Sequence, residues 1–255
     1  MTAYLTGAAG ILGLLFVVLF GLLMVVLRVV KQPQPGRDLR PLRAFSRLRR
    51  AVNLTVESGQ RLHISLGRGE ITHPKAAVAF VGLSTLERFV EITAVSDRPA
   101  VASAGTGPLG ILARSTLHAA YKAADQERRY RATNARVTGL TPFAYAVGTM
   151  FITEDDAVAA NFLVGSFGPE VALIADGSSG HDALTVAGTD NIAAQAVLYA
   201  SADEPLIGEE VYAAGAYVGS GGLHGTSVVV QDIFRWFLIA AMVGGALFKL
   251  LGGAL

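Results

Sequence analysis

Residues 157–175 read AVAANFLVGSFGPEVALIA, and the architecture turns on whether this run crosses a membrane or folds back on itself. A spanning helix takes about 20 predominantly apolar residues, so length alone would nearly allow it. Asn161, Gly165, Gly168, Pro169 and Glu170 interrupt the run, however, and no cationic flank accompanies it. A carboxylate at the middle of a span is costly without a partner. The stretch therefore reads as a buried strand, a turn, and a helix beginning near Pro169.

The same alternation continues outward. Residues 61–66 predict a strand, and 74–94 a helix with Val78, Val81, Leu86, Phe89 and Val90 inward. A strand at 99–104, a helix at 109–124, a strand near 135–138 and a helix at 142–152 follow. Beyond the opening stretch, 183–187 and 197–200 read as strands, with helices starting near Asn191 and Glu209. The strands are short continuous apolar runs, as strands buried on both faces are. The expected fold is α/β, a mostly parallel Rossmann-like sheet covered by helices.

The two ends read differently. Residues 1–27 carry no charge, and the first cations follow the apolar run, the wrong order for a cleaved leader. Residues 233–251 form a second apolar run, with Arg235 and Lys249 near its boundaries and Trp236 placed as an interfacial anchor. Ala240, Ala241, Gly244 and Gly245 sit at a spacing that lets another helix approach. Only 16% of residues are charged, against about 25% in soluble domains. The expected organisation is a transmembrane helix at 1–30, a basic juxtamembrane linker and helix at 31–57, the α/β domain at 58–231, and a transmembrane helix at 232–255. In the linker, Pro33, Pro35 and Pro41 forbid regular helix. Pro41 is suited to open an amphipathic helix that puts Leu42, Phe45, Leu48, Ala51 and Val52 on one face. Cations at 28, 31, 37, 40, 43, 47, 49 and 50, against the single acid Asp38, place the domain on the cytoplasmic side and both termini outside.

Charge is also sorted along the chain. From 141 to 234 there is no Lys or Arg, whereas acids recur from Glu154 to Asp232. Three arrangements account for this. The basic strap lies on the acidic half of its own fold, or on a neighbouring subunit's acidic face, or the carboxylates hold a divalent cation. The second arrangement makes Arg43, Arg47, Arg49, Arg50, Glu209 and Glu210 the contacts of a homo-oligomer. A juxtamembrane strap with few interleaved aromatics disfavours nucleic acid as a partner.

Chemical motifs are sparse. The absence of cysteine excludes disulfides, thiolate metal sites and cysteine nucleophiles. His63, His73, His118, His181 and His224 are scattered without ligand spacing, so no metal site is expected. Residues 105–110, GTGPLG, form a G-x-G-x-x-G between a predicted strand and helix, the context of a dinucleotide turn. The acid expected about twenty residues on is replaced by the basic run 128–131, and the turn does not follow the first strand. Gly105, Gly107 and Gly110 are thus the weak candidates for a nucleotide or small ligand, and no cofactor is expected. Residues 177–182, GSSGHD, bring Ser, His and Asp together without a nucleophile elbow and read as a polar turn. Asn161, Glu170, Asp176, Asp190, Glu209 and Glu210 lie near predicted element ends, where a crevice would draw its lining.

The succession 143–146 (FAYA), 160–162 (ANF), 186–190 (VAGTD) and 206–214 (LIGEEVYAA) resembles a bacterial family described only as a domain of unknown function with terminal membrane spans. The resemblance implies a single membrane-tethered unit in a bacterial plasma membrane and no known activity. Two spans, sorted charge and the lack of a catalytic constellation together favour a membrane-anchored scaffold that self-assembles. The alternative is a tethered nucleotide- or small-ligand-binding domain, or an enzyme, using the Gly105–Gly110 turn.

Overall fold

Alternating apolar runs and amphipathic stretches between residues 40 and 220 fold as a doubly wound domain in a computed structural model, which describes residues 7–30, 39–73, 76–155, 158–179 and 183–250. In chain order the elements are α1 (Ala8–Val30), α2 (Arg43–Ser58), β1 (Arg61–Gly67), α3 (Ala77–Thr93), β2 (Val101–Ala104) and α4 (Gly107–Ala123). After two short 3-10 turns come β3 (Ala135–Val137), α5 (Pro142–Asp155), β4 (Val158–Ser166), α6 (Val171–Ser179), β5 (Leu184–Gly188) and α7 (Ile192–Ser201). The chain closes with β6 (Glu204–Leu206), α8 (Glu210–Val218) and α9 (Gly222–Leu250).

The six strands pair in parallel in the order β3-β2-β1-β4-β5-β6. The first half winds outward from β1 and the second outward from β4. Right-handed crossovers then send the helices of the two halves to opposite faces. On one face Leu62, Ile64 and Leu66 of β1 join Ala102, Ala104, Ala160, Phe162 and Val164 under α2, α3, α4 and α8. On the other, Leu163 and Ala187 meet Tyr145, Ala146, Val171, Ile174, Ala194 and Leu198 from α5, α6 and α7. Residues 158–175 are strand, turn and helix, as expected.

Helix α2 belongs to this core, whereas the sequence suggested a juxtamembrane segment ending at residue 57. Phe45, Leu48 and Val52 are buried in it, and the Phe45 ring stacks on Tyr217 of α8 at 4.5 Å. Its N-cap is Leu42, so Pro41 precedes the helix instead of opening it. Residues 197–200 are helical, not a strand, because Asn191 caps α7 by accepting from the N–H groups of Ala193 and Ala194. The last strand is β6 instead, a three-residue Glu-Pro-Leu segment. Its proline is tolerated because the strand lies at the sheet edge.

The second unit comprises Met1–Leu39 with Gly221–Leu255. Arg28 of α1 packs on Gly222 of α9, and Phe16 meets Phe234 at 4.7 Å. Twelve residues back along one helix thus correspond to twelve onward along the other, so the pair is antiparallel. Both helices are long and apolar enough to cross a membrane, with mean hydropathy of 3.0 and 1.7. Helix α9 starts well before residue 233, where burial of Thr226 and Val230 extends it.

Candidate functional site

Reversal of winding direction leaves a gap outside the carboxyl ends of β1 and β4, the position where open α/β sheets take their ligands. Here Gly67 pairs with Ser166, and beyond them lies a crevice of about 370 Å³ lined by Arg68, Gly69, Glu70, His73 and Ser166. Gly67 has φ +71°, and a Cβ there would stand 2.4 Å from the Ser166 carbonyl oxygen. Only glycine allows the strands to approach and the chain to turn at that point. The next residue seals the junction, since the Arg68 N–H donates to the Ser166 carbonyl at 2.8 Å.

The Arg68 side chain crosses to the first half of the sheet and donates from Nη2 to the Leu140 carbonyl at 2.8 Å. On the way it lies over Gly105, where a Cβ would fall 2.1 Å from Arg68 Cγ and 3.0 Å from the Tyr145 ring. That defines what the G-x-G-x-x-G residues do. Gly105 is a saddle for Arg68 and Tyr145, and Gly110 lets α4 close on Val137, whose Cγ2 would be 2.4 Å from an added Cβ. Gly107 faces open space in the first turn of α4. The motif follows β2, next to the switch point and not at it.

Beneath the crevice runs a row of polar side chains, all fully buried. Asn161 Oδ1 lies 2.7 Å from His63 Nδ1, and Ser103 Oγ lies 3.0 Å from His63 Nε2. A carboxamide oxygen only accepts, so this geometry assigns the imidazole hydrogen to Nδ1, leaving Nε2 to accept from Ser103. The Tyr145 hydroxyl accepts from the Gly67 N–H at 3.1 Å and makes a short hydrogen bond with Ser65. One side chain from α5, the crossover between the two halves, is therefore pinned to the carboxyl end of β1. Burial of the Tyr145 ring raises its pKa above the ordinary tyrosine value, and hydrogen bonds from Ser103 and Ser65 only partly oppose this.

The residues named from the sequence are distributed unevenly. Asn161 is mid-strand and belongs to the buried row, and Asp176 lies well inside α6, away from the turn that opens it. Glu170, Asp190 and Glu209 follow β4, β5 and β6 and so occupy the carboxyl edge of the second half. Glu170 accepts there from the Gly168 N–H at 3.1 Å. Of the hexapeptide 177–182, Gly180, His181 and Asp182 lie outside the described residues, as do Pro33, Pro35 and Pro74. Arg68, Glu70, His73 and Ser166 carried no sequence signal beyond the Gly67-x-Gly69 spacing after the first strand.

Among the described residues, three cations of the basic strap meet acids of the second half within the chain. Arg40 pairs with Glu210 at 3.0 Å, and Arg43 and Arg47 both reach Glu204, at 3.3 and 2.8 Å. Arg49 and Arg50 are exposed on the outer face of α2, as is Glu209 at the start of α8. Among the described residues no three His, Asp or Glu side chains come together as metal ligands would.

Residues 8–254 match a family described as a domain of unknown function, DUF6754, and the chain belongs to that family. No curated protein and no solved structure matches it.

Proposed function

We propose that this member of DUF6754 is a membrane-tethered binding domain for a small polar ligand, which it takes at the carboxyl ends of β1 and β4. The observation that carries this reading is the crevice itself. It sits at the switch point of a doubly wound sheet and offers a guanidinium, a carboxylate, an imidazole and a hydroxyl on a floor pinned by Tyr145. The apolar helices α1 and α9 are read as the tether, and the cations that follow α1 support a cytoplasmic orientation of the domain. A scaffold held together by its charge strap is the weaker reading, because Glu204 and Glu210 are already engaged by arginines of their own chain.

The test is thermal unfolding of the full chain in mild detergent against nucleotides, sugar phosphates and amino acids, each at millimolar concentration. A ligand present at 100 times its Kd stabilises by about 2.7 kcal/mol, which moves the midpoint by roughly 5–10 °C for a domain of this size. Ser166→Leu, which fills the crevice, is expected to abolish the shift while leaving the ligand-free midpoint close to the parent value. A shift that survives Ser166→Leu, or none with any compound, removes the proposal.

A further inference from the structure

The lining of the crevice carries charges of both signs that do not neutralise each other. Arg68 and Glu70 stand two residues apart in the turn after β1, and no ion pair joins them. Glu70 is exposed at the mouth, and among the described residues its carboxylate has no partner. Only its backbone carbonyl is used, accepting from the His73 N–H at 3.3 Å in a turn that keeps His73 on the same crevice. Arg68 is anchored deeper. Its Nη2 is held by the Leu140 carbonyl, whereas its Nε is shielded from water and has no acceptor among the described residues. A buried donor of that kind is costly until something supplies an acceptor. Across the β1–β4 junction, the Ser166 hydroxyl likewise makes no hydrogen bond among the described residues.

We propose that the small polar ligand of this crevice is a free α-amino acid, with its carboxylate on Arg68 and Ser166 and its ammonium on Glu70. The inference rests on the crevice being a ligand site, as proposed above, and narrows what enters it. Three features select a zwitterion over the phosphate esters that doubly wound sheets commonly hold. First, Arg68 is the one permanent cation of the lining, and Glu70 offsets it. A phosphate dianion would gain one attraction and meet a like charge beside it, whereas a zwitterion is attracted at both ends. The planar fork of an arginine suits a carboxylate, and a carboxylate accepts from the several donors of an ammonium. Second, the surrounding edge is acidic. Glu170, Asp190 and Glu209 follow β4, β5 and β6, and residues 141–234 supply no Lys or Arg. That field repels a polyanion and acts only weakly on a ligand of zero net charge. Before α6, where a phosphate would collect N–H donors, the Gly168 N–H is already taken by the Glu170 carboxylate at 3.1 Å. Third, about 370 Å³ lies near the lower end of ligand pockets, about 300–1,000 Å³, which suits a free amino acid better than a dinucleotide.

The standard amino acids are tested singly at millimolar concentration by thermal unfolding of the full chain in mild detergent, beside inorganic phosphate, sugar phosphates and nucleotides. The best amino acid is then titrated by calorimetry, together with its N-acetyl derivative and its decarboxylated amine. At least one amino acid should raise the midpoint, and each derivative should bind about tenfold more weakly or worse, as loss of a hydrogen-bonded charge implies. Glu70→Gln should leave the ligand-free midpoint within about one degree of the parent, because the exposed carboxylate has no partner to lose. It should weaken the amino acid about tenfold or more and leave the N-acetyl derivative unchanged. A midpoint raised by phosphate, sugar phosphates or nucleotides and by no amino acid overturns the inference and leaves the crevice reading standing. Amino-acid binding that is insensitive to Glu70→Gln or to N-acetylation also overturns it, and Ser166→Leu then decides whether the crevice reading survives. A chain that responds to no compound of any class removes both.

Discussion

Replacing Tyr145 by Phe isolates one hydroxyl group, because the ring keeps its packing against Phe167 and the saddle of Gly105. The lost oxygen accepts from the Gly67 N–H and bonds Ser65. Ser65 can rotate its hydroxyl toward another acceptor, but the Gly67 N–H is buried and fixed by its backbone. A buried donor left without a partner costs about 1–3 kcal/mol, so a loss near 2 kcal/mol is expected. For a domain of this size that lowers the midpoint by roughly 4–8 °C, read by far-UV circular dichroism of the full chain in detergent. Tyr121→Phe is the matched control. Its hydroxyl is buried without a hydrogen-bond partner among the described residues, so its removal should be neutral within about 0.5 kcal/mol or slightly stabilising. The alkaline limb supplies a second readout. Burial raises both tyrosine pKa values above the ordinary 10.0, so the unfolded chain loses these protons first. The stability they protect is complete below pH 10 and falls as pH rises beyond it. Tyr145→Phe should make that fall shallower. A variant that melts within a degree of the parent, with an unchanged alkaline limb, would refute the view that this hydroxyl pins the crossover helix.

Gly82→Ala puts a Cβ 2.5 Å from the Val164 carbonyl and forces α3 off β4, an overpacking loss of about 1–3 kcal/mol in a urea titration. Gly107→Ala, with nothing within 4 Å, should leave the same titration unchanged. Glu204→Gln removes the shared partner of Arg43 and Arg47 and should destabilise by about 1–2 kcal/mol at low salt and by less at high salt. The mass of the detergent-solubilised species should not change with it. Leu54→Cys in intact cells should react with an impermeant maleimide only after the membrane is opened; labelling from outside would invert the proposed orientation.

Most strands and helices were legible because each half of the sheet is buried on both faces, which makes strands such as 99–104 and 158–164 mainly apolar runs, whereas 61–66 alternates, with Leu62, Ile64 and Leu66 on one face and His63 and Ser65 on the other. Helix α7 and strand β6 were not, for local reasons. Val197-Leu198-Tyr199 has strand composition but lies downstream of an asparagine cap, and Glu204-Pro205-Leu206 lacks strand composition yet pairs at an edge. The crevice was not legible because Arg68 and Ser166 are brought together by the β1–β4 pairing, which no local pattern encodes. The glycine motif at 105–110 had the correct spacing for a different reason: two of its three glycines make room for Arg68, Tyr145 and Val137.

Strand β1 hydrogen-bonds to β4, and His63 meets Asn161 98 residues further along the chain. At synthesis rates of about 5–20 residues per second, β1 waits on the order of 5–20 s for its central neighbour to leave the ribosome. Throughout that interval it is the open edge of a half-built sheet, which invites pairing with a foreign strand. Its row of His63 and Ser65 shows water a polar face where an all-aliphatic strand would show a sticky one. The residues that later lock the two halves together are thus expected to make the nascent half less prone to such pairing until its partner arrives.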